Sequence, residues 1–345
     1  CQSQIIGEQI PIELDILTRK PVKKYDKNIY KYYPKMRDVP LIGDIRKDGF
    51  YNTPHVFYQL YVRSGDENIF KSARRELLNY RDNDIILRGS NRGRHIKFKK
   101  TRYIYLQAMV DDYLLTGDEK SLKIARYMAE YLKDNFSSEK AFFAKRARNF
   151  WTEREAAFPF LGVITYYELT GDTEYLNYAS QIMKNLYKTQ LQWPDKGGFI
   201  HNLYSHDPEE GCRNDEYGGS PFMTGLLLEA IVKYHKLTGS NIAKDSIFCA
   251  LDWLMDDCVA PDGRSFVYLT CDARKDEGHP DLNMLVVHAF GYGYKISDYK
   301  RKDYLDFGKK IFNYGAERAY LNRRKHFNQN YRSSGHFLGY IEKSK

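Results

Sequence analysis

One pattern, written five times over, decides what this chain can fold into. From Tyr103 to Leu132 it reads YIYLQAMVDDYLLTGDEKSLKIARYMAEYL. Leu106, Met109, Val110, Tyr113 and Leu114 fall at i, i+3, i+4, i+7 and i+8, one apolar face of a 3.6-residue period. Gly117 then supplies the left-handed residue that ends a helix, and Asp118 is suited to cap the next one. Leu122, Ala125, Ala129 and Leu132 give that second helix its stripe.

The same helical hairpin recurs over Phe160 to Tyr187, with Thr170-Gly171-Asp172 at its turn. It recurs at Ser64-Gly65-Asp66 and at Thr238-Gly239-Ser240, and a fifth copy over 284–312 keeps the pattern without the glycine. The copies are spaced roughly 50–70 residues apart, a scale at which internal repeats decide an architecture. One hairpin cannot bury both of its stripes, so neighbours must stack. The expected fold is therefore all-α, an (α/α)5–6 toroid or solenoid of repeated hairpins. An apolar content of 42% is enough to fill it. A single toroid domain over 49–345 follows, preceded by an arm over 1–48 that carries Pro11, Pro21, Pro34 and a basic, tyrosine-rich run.

Topology then locates function. Within hairpins the connections are short turns; between hairpins they are long loops, and these strike the opposite helix ends. Stacked in order, the hairpins gather every long loop on one rim, where a repeat scaffold usually carries its site. That rim collects Arg94 and His95, then Arg148, Trp151, Glu153 and Arg154 from AKRARNFWTER. The longest insertion adds His201, Tyr204, His206, Arg213, Asp215, Glu216 and Tyr217; Asp272 and Arg274 precede the fifth hairpin, and Arg332 and His336 lie in the tail.

Hairpins punctuated by LTGD turns, with WTEREAAF and SPFMTGLLLEAI opening helices, resemble the (α/α) toroid enzymes of carbohydrate metabolism: the six-hairpin glycosidases, the toroidal polysaccharide lyases and the uronyl epimerases. The resemblance covers roughly residues 50–320 and is one of architecture. It implies a funnel at the mouth of the inner helices that binds a sugar chain.

Two chemistries fit the rim. Elimination from a uronate needs a base, an acid and a group that neutralises the carboxylate. His201 or His206, Tyr204 or Tyr217, and Arg148 or Arg213 would supply them. Glycoside hydrolysis needs two carboxyl groups, for which Glu153 and one of Asp215 or Glu216 are the candidates. Trp151 is a stacking platform for a sugar ring, and Arg94, His95, Arg154, Asp272 and Arg274 complete the substrate-binding set. Thr152 and Glu155 have the spacing of a capping box, which assigns Glu155 to structure. His288, on an apolar helix face, reads as a core histidine.

A formal charge of +9 with 15% aromatic residues suits an acidic polysaccharide or oligosaccharide partner and tilts the choice slightly towards elimination. A surface protein that only holds a glycan, or a protein partner, is the alternative. Nucleic acid is not expected as a partner, and no cofactor or metal is expected: the chain has no P-loop, no G-x-G-x-x-G after a strand, no G-x-S-x-G, no H-E-x-x-H and no C-x-x-C. The opening Cys-Gln-Ser-Gln looks like a processed bacterial lipoprotein, so the expected location is the cell envelope, lipid-anchored through Cys1. Export would permit one disulfide among Cys212, Cys258 and Cys271.

Overall fold

The computed structural model describes residues 5, 7–39, 49–136, 152–192, 197–199, 201–202, 211–213 and 216–342, with the main chain alone at 201, 202 and 217. After α1 (Lys24–Arg37) come five hairpins: α2 (Thr53–Ser64) with α3 (Glu67–Asn83), α4 (Leu106–Thr116) with α5 (Glu119–Asn135), α6 (Glu153–Thr170) with α7 (Thr173–Gln192), α8 (Pro221–Thr238) with α9 (Asn241–Asp256), and α10 (Asn283–Ile296) with α11 (Lys302–Arg318). Two short helices, α12 (Arg324–Tyr331) and α13 (Gly335–Glu342), follow. His201–Asn202 and Tyr217–Gly218 form a two-residue antiparallel ladder.

The first helix of each hairpin lies inside the ring and the second outside, and burial tells them apart. Every residue from Leu106 to Asp112 in α4, and from Asn283 to Tyr294 in α10, is buried. A helix buried on all sides belongs in a core. The outer α5 buries only Ser121, Ile124, Ala125, Met128, Ala129 and Leu132. Its stripe is thus centred on Ile124 and Met128, with Leu122 at the edge, while Leu114 near the end of α4 reaches solvent.

The turns are built alike. Gly65, Gly117, Gly171 and Gly239 are each left-handed, with φ between 66° and 71°. Asp66, Asp118, Asp172 and Ser240 then accept from the backbone of the following helix, Asp118 from Lys120 N at 2.9 Å. In the fifth copy Asp298 and Tyr299 take the left-handed conformation without a glycine, at φ 54° and 60°.

A sixth hairpin closes the ring, and it is made from both ends of the described chain. Helices α12 and α13 lie inside, and α1, from within the arm, covers them. Tyr25 Oη lies 2.7 Å from Ser334 Oγ, Arg324 donates to Met36 O at 2.7 Å, and the Tyr25 ring meets Phe312 and Tyr331. Residues before α1 run under the opposite end of the ring from the loops. There Glu8 receives Lys295 at 2.8 Å, and Arg63 donates to Ile10 O at 2.9 Å while also meeting Asp26.

At the loop end, successive inner-helix starts are stitched round a single mouth. Asn328 donates to Phe50 O, Thr101 to Glu155 O, Ser220 N to Glu153 Oε1 and Gln329 to Asp281 O, at distances between 2.6 and 2.9 Å.

Candidate active site

Inner helices bring polar side chains to the axis only where something there can pair with them. Arg332, between α12 and α13, is the largest fully buried side chain among the described residues, 1% exposed. Its Nε donates to Glu229 Oε2 at 2.8 Å and its Nη2 to Gln107 Oε1 at 2.6 Å, with Tyr51 O taking Nη1 at 3.1 Å. The guanidinium also lies over the Phe158 ring. Four chain segments are therefore held by one cation.

The network continues from the main chain of Arg332. Gln59 Nε2 donates to Arg332 O at 3.1 Å and meets His55 Nε2. On the other side of that imidazole, Nδ1 lies 2.5 Å from Asp111 Oδ2. With Asp111 accepting from Nδ1–H, Nε2 is left to accept from Gln59, which fixes the tautomer. Gln59 Oε1 in turn accepts from Gln9. Gln107 and Asp111 are one turn apart on α4, and His55 and Gln59 one turn apart on α2, so each pair shares a face. His288 Nε2 donates to Gly225 O at 3.0 Å, and Gln9 lies 3.4 Å from the His336 ring nitrogen.

Two carboxylates in this network are driven in opposite directions. Burial raises the Asp111 carboxyl above its ordinary range, against the pull of His55, Lys233 and Arg332. Burial also pushes Glu229 up, but Arg332, His55 and His288 together override it and hold that carboxyl below its ordinary range. Both carboxyls feel Arg332, and two acids whose environments diverge in this way are the arrangement that assigns acid and base roles. Burial keeps both His288 and His336 from charging as readily as a free imidazole.

The rim residues expected from sequence sort differently. Glu153 is fully buried, and its Oε1 accepts from Ser220 N, tying the start of α6 to that of α8. Thr152 caps α6 by accepting from Glu155 N, but the Glu155 carboxylate turns to Thr101 and Arg102. Glu216 accepts from Arg213 N and Asp272 N, both at 3.0 Å, on either side of a disulfide between Cys212 and Cys271. It clasps two loops together. Cys258 is buried in the core. Arg213 and Asp272 are exposed and lie 3.7 Å apart, and Arg274 covers Tyr268. His95 is buried, accepts from Lys97 N and Phe98 N, and is pushed down to about 4 by burial, Lys97 and Arg94. It organises its own loop, with Arg94 beside it. Arg154 sits at the mouth, 7% exposed. Arg148, Trp151, Tyr204, His206, Asp215 and Cys1 lie outside the described residues, as do the side chains of His201 and Tyr217.

The axis residues Asp111, His55, Glu229 and Gln107 went unread in the sequence. Their one signal is the i, i+4 spacing of His55 with Gln59 and of Gln107 with Asp111, and it gains meaning only once those helices are known to be buried on every side.

Comparison with known proteins agrees with the ring. The profile of the β-L-arabinofuranosidase GH127 catalytic domain matches residues 101–197. No curated protein matches the chain. An inactive variant of the α-1,6-mannanase GH76A of Salegentibacter sp. HEL1_6, in complex with α-1,6-mannotetrose, superposes with a TM-score of 0.59 at 17% identity, covering 84% of this chain and 89% of that one. An unsaturated glucuronyl hydrolase specific for heparin gives 0.61 at 12%, covering 98% and 92%. A D-mannose isomerase gives 0.68 at 11%, covering 94% and 99%. The fold is that of the six-hairpin toroids.

Proposed function

We propose that this protein breaks glycosidic bonds in an acidic polysaccharide or oligosaccharide that enters from the loop-bearing mouth and lies over Glu229 and Asp111. The observation that carries the reading is the opposed pair of carboxylates joined through His55, Gln59 and Arg332. Asp111 keeps its proton longer than an ordinary aspartate, as a group that protonates a leaving oxygen must. Glu229 gives its proton up sooner, as suits a base or nucleophile. The arabinofuranosidase profile and the mannanase and glucuronyl hydrolase neighbours support a carbohydrate substrate. The charge of +9 supports an acidic one.

A second reading rests on the imidazoles. His55 belongs to the network, while His288 and His336 each act electrostatically on a member of the same centre. Burial keeps His288 and His336 from charging readily, and imidazoles so placed suit proton transfer at a sugar carbon, the step that elimination and isomerisation share.

The test is a panel of acidic and neutral glycans incubated with the purified protein, read for new reducing ends and for the absorbance of an unsaturated uronate. Reducing ends without that absorbance, abolished in Asp111→Asn and Glu229→Gln, support hydrolysis. Absorbance that rises supports elimination, and an interconverted monosaccharide without either supports isomerisation. A glycan that binds and leaves unchanged assigns the cleft to binding alone.

A further inference from the structure

Beside the axis, the mouth carries an unusual set of like charges. Arg102, Arg154 and Lys325 come from three separate elements: the turn before α4, the first turn of α6 and α12. All three approach one ring, that of Phe50, at 5.9, 5.6 and 5.4 Å from its centroid. Glu155 lies 3.4 Å from Arg102, and Asp281 acts on Lys325, so among the described residues these acids near the cluster are fewer than the cations. Arg154 is 7% exposed, yet its Nε is buried with no hydrogen-bond partner among the described residues. Burial, then Arg102 beside it, holds its guanidinium below its ordinary value. Burial and Arg154 do the same to the Lys325 ammonium.

A folded chain does not gather buried like charges without compensation, because each pays desolvation and then repels the next. An anion at their centre would remove the repulsion and satisfy the buried guanidinium. Arg154 is also the second residue of an 18-residue helix, where the axial dipole adds to the attraction for negative charge. Phe50 offers its face or edge to a sugar ring. One residue ties this cluster to the axis: Tyr51 interacts with Arg154 through its hydroxyl and gives its carbonyl to Arg332.

We propose that Phe50, Arg102, Arg154 and Lys325 form a subsite for an oxyanion carried on a sugar, a carboxylate or a sulfate ester, next to the Arg332–Glu229 centre. The binding stands by itself; only the position of the anion relative to the broken bond rests on the reading of the axis as a cleaving centre.

Calorimetric titration with glucuronate, glucose 6-sulfate and glucose, at low and at high salt, tests it. The native protein is expected to bind at least one charged sugar ten-fold or more tighter than glucose, with the preference shrinking as salt rises. Glucuronate alone identifies a carboxylate, and glucose 6-sulfate alone a sulfate ester. Arg154→Gln and Lys325→Gln should each weaken that binding at least five-fold; Lys325 is only half-buried, so it keeps the test decisive should Arg154→Gln fail to fold. Equal affinity for glucose, no binding of either charged sugar, or an unchanged affinity in Lys325→Gln overturns the subsite. The two readings fail separately. Charged sugar bound equally by the native protein and Asp111→Asn, with no glycan altered, leaves the subsite and removes cleavage. Cleavage of neutral chains as fast as acidic ones, with KM unmoved in Lys325→Gln, leaves cleavage and removes the subsite.

Discussion

Asp111 and Asp112 are neighbours in sequence and have opposite occupations. Asp111 faces the axis and His55, whereas Asp112 points outward between helices, where Tyr58 and Ser121 donate to it and Arg74 pairs with it. Adjacent residues on a helix diverge by about 100°, so one acid serves the site and the other the scaffold. Asp111→Asn is expected to lower kcat on a cleaved glycan by about 10²–10⁴-fold with little change in KM, and Glu229→Gln at least as much. The pH dependence follows from the directions of their shifts. Activity needs Asp111 protonated and Glu229 ionised. It should fall as pH rises through the elevated Asp111 value, which His55, Lys233 and Arg332 restrain, and fall again as pH drops through the depressed Glu229 value set by Arg332, His55 and His288. Rate profiles for the two variants should each lose one limb; a profile with both limbs intact in Asp111→Asn counts against its role. These roles were hard to read from sequence. A lone Asp-Asp step looks like a solvated pair until both sides of its helix are known to be covered. Glu153 and Glu216 drew attention by lying in loops, yet backbone amides occupy both of them.

At the scale of the element, the turns were the most legible feature of the chain. A Thr-Gly-Asp step specifies a left-handed residue and then a cap; two of the five turns are spelled so, and Ser64-Gly65-Asp66 and Thr238-Gly239-Ser240 do the same with one residue changed. A Cβ on Gly117 would meet nothing within 4 Å, so Gly117→Ala isolates the backbone term. It should destabilise the protein by about 1 kcal/mol, measured by denaturant unfolding. The fifth turn makes the reverse case: Asp298→Gly should stabilise, by less than about 1 kcal/mol, because the gain in φ is offset by a freer unfolded chain. At Gly225 the constraint is steric instead. A Cβ there would lie 2.4 Å from Leu285 O, so Gly225→Ala must push α8 away from α10 and should be far more damaging than the change at Gly117. The Gly-Asp and Gly-Ser steps placed the starts of four outer helices, while their last turns run two to five residues beyond the stretches read from the pattern. That pattern could not show that a fully buried inner helix and a half-buried outer one play different parts, since that depends on neighbours.

Across the whole molecule, the sixth hairpin was the piece that no local pattern disclosed. Its inner and outer helices come from opposite ends of the described sequence and share no turn, so the repeat could be followed only through five copies. The junction is held by polar contacts that tolerate little change. Arg63 and Asp26 are both buried, at 2.9 Å, and Arg63 also fastens Ile10. Asp26→Ala strands a guanidinium and should cost about 3–5 kcal/mol of stability; an unfolding midpoint like that of the native protein would show that the arm is not integral to the ring.

That junction sets an order of events during synthesis. Arg332, which holds Glu229 and Gln107, emerges from the ribosome after the first five hairpins have been made, and the helix that must cover its segment was made before any of them. A nascent crescent of stacked hairpins can therefore be well packed while its reactive centre is still unassembled. Competence arrives with α12 and α13, when they meet an α1 made five hairpins earlier.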